Sequence, residues 1–261
     1  RWGEVHSPGA VADRLAAGHF DAVSMVHSET STGALNDVPA LARAVRQFPG
    51  VQGLVDSVTG VGGVPFAFDE WGVDFAVTGS QKALALPPGL AFGVASEAFL
   101  DRARTRPGRG MYLDVERFYA QLEKHQTPTT PAVTLIYALR AQLERIEAEG
   151  LEARWARHRA LAERSWRWVD RLRREVDPGF QVLAPVGGRS PTVTCVRMPD
   201  GLPGPDVVSR LAERGWVIGG GYGKLKPTSI RIGHMGEHSL EALEGLLAVL
   251  DETLSELEVR S

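Results

Sequence analysis

The stretch Thr78-Gly-Ser-Gln-Lys-Ala-Leu-Ala-Leu-Pro-Pro-Gly89 places one lysine, Lys82, in a turn of small residues. The turn lies between two apolar runs of strand length, residues 73–77 and 90–94. Lys82 is therefore predicted at the carboxyl end of one strand and beside another, where open α/β sheets bind ligands. A lysine in a partly closed site of low polarity can act as a free amine and form a Schiff base with a carbonyl group. The alternative is a solvated loop lysine.

Strands and helices alternate around this turn. Residues 20–26 and 51–56 are predicted strands, whereas residues 11–18 and 38–48 have the spacing of apolar residues and the end signals of helices. Such alternation is typical of a mainly parallel sheet covered by helices. The first part of the chain is therefore predicted to have an α/β fold.

Polar residues follow three of the predicted strands. They are the segment 29–32, the carboxylate of Asp56, and Gln81 with Lys82. Because the carboxyl ends of parallel strands meet at one edge of a sheet, an acid and an amine are expected to face one crevice. The alternative for Asp56 is a helix cap or a turn, a common use of aspartate at such a position.

The second part of the chain has a different pattern. Residues 132–176 are predicted to be helical with a break at Gly150, and the interleaved arginines and glutamates there predict a solvated face. Shorter elements follow: predicted strands at 191–196, 216–218 and 230–232, and predicted helices at 205–213 and 240–257. The change predicts a large domain over residues 1–149 and a smaller α+β domain over residues 150–261.

Composition narrows the class of ligand. The 261 residues are 43% hydrophobic and carry a formal net charge of -3, so a small-molecule ligand is expected and nucleic acid is not. The single cysteine, Cys195, lies among apolar residues and is predicted to be a buried thiol, which favours a reducing, cytoplasmic setting. No apolar run reaches the length of a membrane span, so no membrane partner is expected.

Two short patterns resemble known sites without meeting their requirements. His234-Met-Gly-Glu-His238 matches the HxxEH pattern of some zinc peptidases, but Gly236 and the position just before a helix argue against a shared helical face. No metal site is predicted. The run Gly219-Gly-Gly-Tyr-Gly-Lys224 lacks the Ser or Thr of a phosphate-binding loop and is predicted to be flexible.

Five motifs occur in order along the chain: His27-Ser-Glu-Thr-Ser-Thr-Gly33, Val55-Asp-Ser-Val58 with Gly62-Gly63, Thr78-Gly-Ser-Gln-Lys82 with Pro87-Pro-Gly89, Thr127-Pro-Thr-Thr-Pro131, and Ile230-Arg-Ile-Gly233. Together they resemble the class V aminotransferases, in particular the alanine/serine–glyoxylate group, over essentially the whole chain. This resemblance implies an aspartate-aminotransferase-like fold, pyridoxal-phosphate fold type I. A homodimer that uses pyridoxal 5'-phosphate is also implied.

The resemblance assigns three residues to the chemistry. Lys82 is expected to hold the cofactor as a Schiff base and then to act as the base that moves a proton from the substrate. Asp56 is expected to pair with the pyridine nitrogen, because a carboxylate there keeps the nitrogen protonated. Arg231 is expected to bind the substrate carboxylate through its planar guanidinium.

Four further residues are expected to hold the cofactor. Thr30 would hydrogen-bond the ring hydroxyl, and Gln81 would reach the phosphate from the same subunit. Thr127 and Thr130 would reach that phosphate from the neighbouring subunit. In close relatives tyrosine often stands at the position of Thr127, so this chain departs from the family pattern there.

The implied reaction is transamination between a small L-amino acid, alanine or serine, and an oxo acid such as glyoxylate or pyruvate. Relatives carry an N-terminal third before the point at which Arg1 aligns, with a Gly/Ser-rich phosphate loop and an aromatic residue that stacks on the cofactor. One alternative is therefore a truncated, catalytically silent protein of the same fold. A lyase or cysteine desulfurase is another, although it needs a reactive cysteine on a mobile loop and Cys195 is predicted in a strand.

Overall fold

The computed structural model describes residues 1–258, in which two separate sheets follow one another along the chain. The helices are α1 (Pro8–Ala16), α2 (Val38–Val45), α3 (Phe68–Trp71), α4 (Glu97–Arg104), α5 (Val115–Leu122), α6 (Val133–Glu149), α7 (Leu151–Glu175), α8 (Gly204–Glu213) and α9 (Leu240–Glu258). The strands are β1 (Ala22–Val26), β2 (Ser28–Glu29), β3 (Ala34–Leu35), β4 (Gln52–Asp56), β5 (Phe75–Gly79), β6 (Ala91–Ala95), β7 (Gln181–Val182), β8 (Val193–Arg197), β9 (Gly219–Gly220) and β10 (Ser229–Gly233). None of these helices is long and apolar enough to cross a lipid bilayer.

The first sheet has the strand order β1-β4-β5-β6. β1, β4 and β5 run parallel, whereas β6 is antiparallel to β5. The predicted mainly parallel sheet is thus confirmed. In its register Val26 lies opposite Asp56, and Asp56 opposite Val77. The loops that follow β1, β4 and β5 therefore leave the sheet at the same edge.

Helix α2 shows why this sheet is covered as the sequence predicts. Asp37 caps the helix by accepting a hydrogen bond from the Ala40 amide, and Pro39 occupies its first turn. Val38, Leu41 and Val45 share one helical face and are almost completely buried. This face packs into the apolar core that includes β1 and β4.

The second sheet is antiparallel, with the order β7-β8-β10-β9, and its core is formed with α7, α8 and α9. The predicted strand at 216–218 is wrong, because Gly219 and Gly220 make the pairing with β10 instead. The Trp216 amide is already used to close α8, where it donates to Leu211 O at 2.9 Å. Val217 is 91% exposed.

A hairpin formed by β2 and β3 joins the two sheets. The Ser190 amide donates to Gly33 O at 2.8 Å. Gly33 has a φ of +71°, and a side chain there would meet Val193 O at 2.9 Å, so glycine suits this position on both counts. The Ser28 hydroxyl is also 2.7 Å from that of Ser190. The loop after β1 is therefore fixed against the second sheet.

The helical stretch breaks where the sequence predicts. Gly150 has a φ of 82°, which is a conformation that favours glycine, and it separates α6 from α7. A division into domains at residues 149 and 150 stays a prediction.

Candidate active site

The turn that carries Lys82 is fixed by its own backbone and by Ser80. The Ser80 hydroxyl donates to Pro87 O at 2.7 Å, and the Ala85 amide donates to Lys82 O at 2.9 Å. Lys82 itself is half-buried, and within residues 1–258 its amine forms no ion pair and no hydrogen bond. Internal hydrogen bonds therefore hold the turn around an amine that has no partner among the described residues.

Asp56 ends β4 at the same edge of the sheet. Its Oδ1 accepts a hydrogen bond from the Val58 amide at 3.0 Å, so the turn-forming role considered for this residue is real. The Asp56 side chain is exposed, and in the described part of the chain Oδ2 accepts no hydrogen bond. One carboxylate oxygen therefore holds the loop while the other can receive a ligand.

His27 supports this loop from beneath, a role that the sequence reasoning did not assign. Its Nδ1 is 2.9 Å from Ser57 Oγ, and its amide donates to Asp56 O at 2.8 Å. The ring packs against Phe66 and Trp71, and burial lowers the pKa of His27 to about 4. A neutral His27 thus fixes the residue next to Asp56. The position of His27 in the motif 27–33 is the feature of the sequence that could have indicated this role.

Thr30 and Arg231 are brought together from opposite ends of the chain. Arg231 Nη1 donates to Thr30 O at 3.2 Å, and Arg231 Nε donates to Gly220 O at 2.7 Å. The Thr30 hydroxyl lies 2.6 Å from the hydroxyl of Thr59, which is in the loop after β4. The predicted hydroxyl and the predicted carboxylate-binding arginine therefore meet at the edge that carries Asp56.

Two glycines let the loop after β4 contact the Lys82 turn. A Cβ atom on Gly63 would lie 3.2 Å from Ala83 Cβ and 2.4 Å from Thr192 Cγ2. Gly62 has a φ of +86°, a conformation that favours glycine, and a Cβ atom there would lie 3.3 Å from Leu84 Cδ2. The close approach at Gly63 and the backbone conformation at Gly62 therefore both suit glycine, and the contact joins the loop after β4, the Lys82 turn and the second sheet.

The remaining predicted cofactor ligands do not join this group within the chain. Gln81 is exposed next to Lys82, and Thr127 and Thr130 lie in an exposed segment between α5 and α6. The Thr127 hydroxyl donates to Thr129 O at 2.7 Å. In residues 1–258 no hydrogen bond links Thr127 or Thr130 to Lys82, Asp56 or Thr30. Their roles at a neighbouring subunit stay predictions.

Cys195 and the HxxEH pattern do not form the reactive thiol or the zinc site that were considered for them. Cys195 is fully buried in β8, as predicted, and burial raises the pKa of its thiol to about 11. The segment from His234 to His238 is not helical, and Glu237 is engaged by Gln142 and Arg154. Residues 1–258 contain no cluster of side chains suited to a metal ion.

The sequence of the chain, which brings an amine, a carboxylate and an arginine to one sheet edge, is similar to a known family. The model of the family described as aminotransferase class-V matches residues 10–234. The chain belongs to the class V aminotransferases. The family that the five motifs indicated is therefore confirmed.

Similar proteins cover almost the whole of this chain. It is 36% identical over 259 residues to the soluble hydrogenase small subunit of Synechococcus sp. (strain PCC 6716), a match that covers 96% of this chain and 66% of that protein. It is 34% identical over 264 residues to the serine–glyoxylate aminotransferase of Arabidopsis thaliana, covering 98% of this chain and 64% of the relative. The solved alanine–glyoxylate aminotransferase of Nostoc sp. matches with a TM-score of 0.89 at 34% identity, covering 97% of this chain and 67% of that one.

These comparisons confirm the aspartate-aminotransferase-like fold, pyridoxal-phosphate fold type I. This class V chain spans slightly less than two thirds of the length of these curated relatives, 66% for the Synechococcus protein and 64% for the Arabidopsis protein.

Pyridoxal phosphate is the cofactor of this family, and the described residues fit it. Among residues 1–258, Lys82 provides an amine without a carboxylate partner, and Asp56 provides a carboxylate oxygen without a hydrogen bond. In addition, the Thr78 hydroxyl is buried on β5 with no partner in the described residues. An amine for an aldehyde, a carboxylate for a ring nitrogen and hydroxyls for a phenolic oxygen form the donor set that this group requires.

Proposed function

We propose that this chain takes part in transamination that depends on pyridoxal 5'-phosphate, with Lys82 as the attachment point. The reaction would transfer an amino group from a small L-amino acid to an oxo acid such as glyoxylate or pyruvate. One observation carries the proposal: Lys82 is a half-buried amine, without a partner in the described part of the chain, on the sheet edge that also presents Asp56, while Arg231 reaches Thr30 at that edge.

Each residue has a distinct task in this proposal. When bound, pyridoxal phosphate supplies an aldehyde carbon that condenses with an amine, releasing water, and a ring that accepts electrons. Lys82 Nζ provides the amine in the resting protein and later moves a proton at the substrate α-carbon. The free oxygen of Asp56 provides the negative charge that keeps the ring nitrogen protonated.

Arg231 gives the substrate its orientation. Its Nε and Nη1 are already engaged by Gly220 O and Thr30 O, so the guanidinium plane is fixed before a substrate arrives. A preset guanidinium binds a carboxylate strongly and with defined geometry.

The identity of the donor rests on the relatives. The Arabidopsis relative is named a serine–glyoxylate aminotransferase, and the Nostoc protein is named an alanine–glyoxylate aminotransferase. We therefore propose alanine or serine as donor and glyoxylate or pyruvate as acceptor.

A homodimer belongs to the same proposal. Thr127 and Thr130 are exposed in the single chain, which is the arrangement expected if they serve a neighbouring subunit. Large apolar side chains are exposed nearby, including Leu113 at 79% and Tyr137 at 71%. An interface would cover such a surface.

We also propose a cytoplasmic setting. The cysteine of this chain is buried and forms no disulfide bond, which is typical of proteins in a reducing compartment.

An absorption titration with pyridoxal phosphate tests this function. The chain should develop a visible band, and borohydride should then fix the cofactor to Lys82 by reducing the carbon–nitrogen double bond to a secondary amine. Lys82→Ala should abolish both signals, and Lys226→Ala, which removes an exposed lysine, should leave them unchanged.

Addition of alanine or serine should then shift the band towards the ultraviolet and release an oxo acid. A protein that binds the cofactor through Lys82 but gives no shift would be the catalytically silent alternative. A chain with no Lys82-dependent band would contradict the proposed function.

A further inference from the structure

Arg154 is a fully buried arginine that the transamination chemistry does not use. It lies in the first turn of α7 and is 1% exposed, although the surrounding stretch was predicted to form a solvated face. Arginine is rarely buried unless its charge is paired, because removing a guanidinium from water is costly. Its partners should therefore indicate why the charge is kept inside the protein.

The guanidinium of Arg154 reaches the Lys82 turn directly. Arg154 Nη2 donates to Ala83 O at 2.8 Å. Ala83 is the residue immediately after Lys82. Arg154 pairs with two carboxylates, which it shares with Arg157: Arg154 Nη1 lies 2.8 Å from Glu149 Oε2, and Arg154 Nη2 lies 2.9 Å from Glu237 Oε1. A charged donor makes a stronger hydrogen bond to a carbonyl than a neutral one.

A histidine one turn further along α7 holds the other side of the turn. His158 Nδ1 is 2.8 Å from Arg154 O, a carbonyl that can only accept, so Nδ1 carries the proton. His158 Nε2 then accepts the Gly236 amide at 3.1 Å. Gly236 is in close contact with the turn, because a Cβ atom there would lie 3.2 Å from Ala85 Cβ.

The turn needs such support because part of it is strained. Ala85 has a φ of 57°, a left-handed conformation that is unfavourable for a residue with a side chain. Its amide donates to Lys82 O, so a change at Ala85 would be transmitted to Lys82. Contacts from α7 and from Gly236 oppose relaxation of this backbone.

We propose that Arg154 is a positioning residue for Lys82: its buried guanidinium fixes the Ala83 carbonyl and so sets where the Lys82 amine stands. The inference rests on the proposed function of Lys82. It also makes α7 and the segment around Gly236 part of the apparatus that orients the amine, although neither contributes a group to the chemistry.

The first measurement is hydrogen exchange on the full chain without cofactor. In Arg154→Lys the ammonium keeps the charge but cannot hold Ala83 O and Glu149 together as the planar fork does. The Ala85 and Leu86 amides should exchange about tenfold faster, while the Val55 amide in β4 stays protected. Arg164→Lys is the matched control, since Arg164 lies on the same helix and pairs at the surface with Glu244.

The second measurement separates positioning from cofactor binding. Borohydride trapping of pyridoxal phosphate at Lys82 should slow about tenfold in Arg154→Lys, because the amine is misplaced. The affinity for pyridoxamine phosphate, which has no aldehyde and forms no bond with Lys82, should change by less than about twofold. If Arg154 only stabilised the fold, Arg154→Lys would reduce both the rate of trapping and the affinity for pyridoxamine phosphate, or neither of them.

The outcomes are distinguishable. If the unsubstituted chain traps no pyridoxal phosphate, the proposed function fails, and hydrogen exchange alone tests the positioning role. If Arg154→Lys does not fold, Glu237→Gln removes the negative charge of one partner of the guanidinium and should give the same selective loss of protection. Protection of Ala85 and Leu86 equal to that of the unsubstituted chain would overturn the inference, as would equal acceleration of Val55.

Discussion

Arg231 donates a hydrogen bond to the Thr30 carbonyl at 3.2 Å, although the two residues are separated by 201 positions in the chain. The contact joins the central part of the second sheet to the loop that follows β1. Because Nε is held by Gly220 O as well, the guanidinium has a fixed plane. Within residues 1–258 its Nη2 makes no hydrogen bond, so that donor remains for a ligand.

Arg231→Lys should therefore weaken the binding of the amino-acid substrate. Loss of the charge-assisted hydrogen bond from Nη2 should raise the substrate dissociation constant about 10- to 100-fold. The measurement is the concentration of alanine or serine at which the cofactor band shifts by half. Ethylamine, which has no carboxylate, is the control, and equal losses for ethylamine and alanine would contradict the assignment.

Much of the fold follows from local sequence patterns. The alternation of strands and helices predicted the parallel sheet, and Gly150 predicted the break between α6 and α7. One error came from competition among local signals: Trp216-Val-Ile218 has strand-like residues, but the Trp216 amide closes α8.

The site was predictable in part. The placement of Asp56 and Lys82 at one edge of the sheet was predictable, because β4 ends at Asp56 and the neighbouring parallel strand β5 precedes Lys82. The contact from Arg154 to Ala83 was not, because it spans 71 positions and depends on how α7 packs. The interleaved charges of α7 predicted a solvated face, which holds better for Arg164, with 28% of its side chain exposed, and is wrong for Arg154. Charge pattern alone does not distinguish the two arginines.

Gly63→Ala should destabilise the protein by about 2 kcal/mol through overpacking. The new methyl group would stand 2.4 Å from Thr192 Cγ2 and 3.2 Å from Ala83 Cβ. Urea unfolding measures the change, with Gly233→Ala as control, since a Cβ atom on Gly233 would meet nothing within 4 Å.

The source of that strain can be tested with a second substitution. Thr192→Ser removes Cγ2 and keeps the hydroxyl that contacts Ser28 and Ser190. The double variant Gly63→Ala/Thr192→Ser should recover much of the lost stability. Strictly additive effects of the two substitutions would show that the contact with Thr192 is not responsible.

His27 should make stability depend on pH in the mildly acidic range. Its pKa in the folded protein is lowered by burial from 6.5 to about 4, so below pH 6.5 the unfolded chain binds a proton that the folded chain does not. The free energy of unfolding should therefore keep its full value above pH 6.5 and should fall by up to about 3 kcal/mol as the pH falls to 4.

His27→Asn, which does not titrate but can still hydrogen-bond Ser57, should reduce this dependence. The free energy of unfolding should fall less steeply between pH 6.5 and pH 4 in the variant than in the unsubstituted protein. Unfolding in urea at several pH values gives both slopes. Parallel slopes would mean that His27 does not bind the extra proton on unfolding.

Glu149 should make stability depend on pH in a more acidic range than His27 does, and through a carboxylate instead of an imidazole. Hydrogen bonds from Arg157 and then from Arg154 lower the pKa of Glu149 to about 2, against an ordinary value of 4.5. Its stabilisation is therefore complete above pH 4.5 and is lost as the pH falls to 2. Water screens the partly exposed carboxylate, so a contribution of about 1 kcal/mol is expected.

Glu149→Gln should lower the free energy of unfolding by that amount at pH 7. In urea unfolding at several pH values, this free energy should fall less steeply between pH 4.5 and pH 2 in the variant than in the unsubstituted protein. Glu144→Gln, at an exposed pair with Arg140 on α6, is the control, and an equal effect there would assign the dependence to general surface charge.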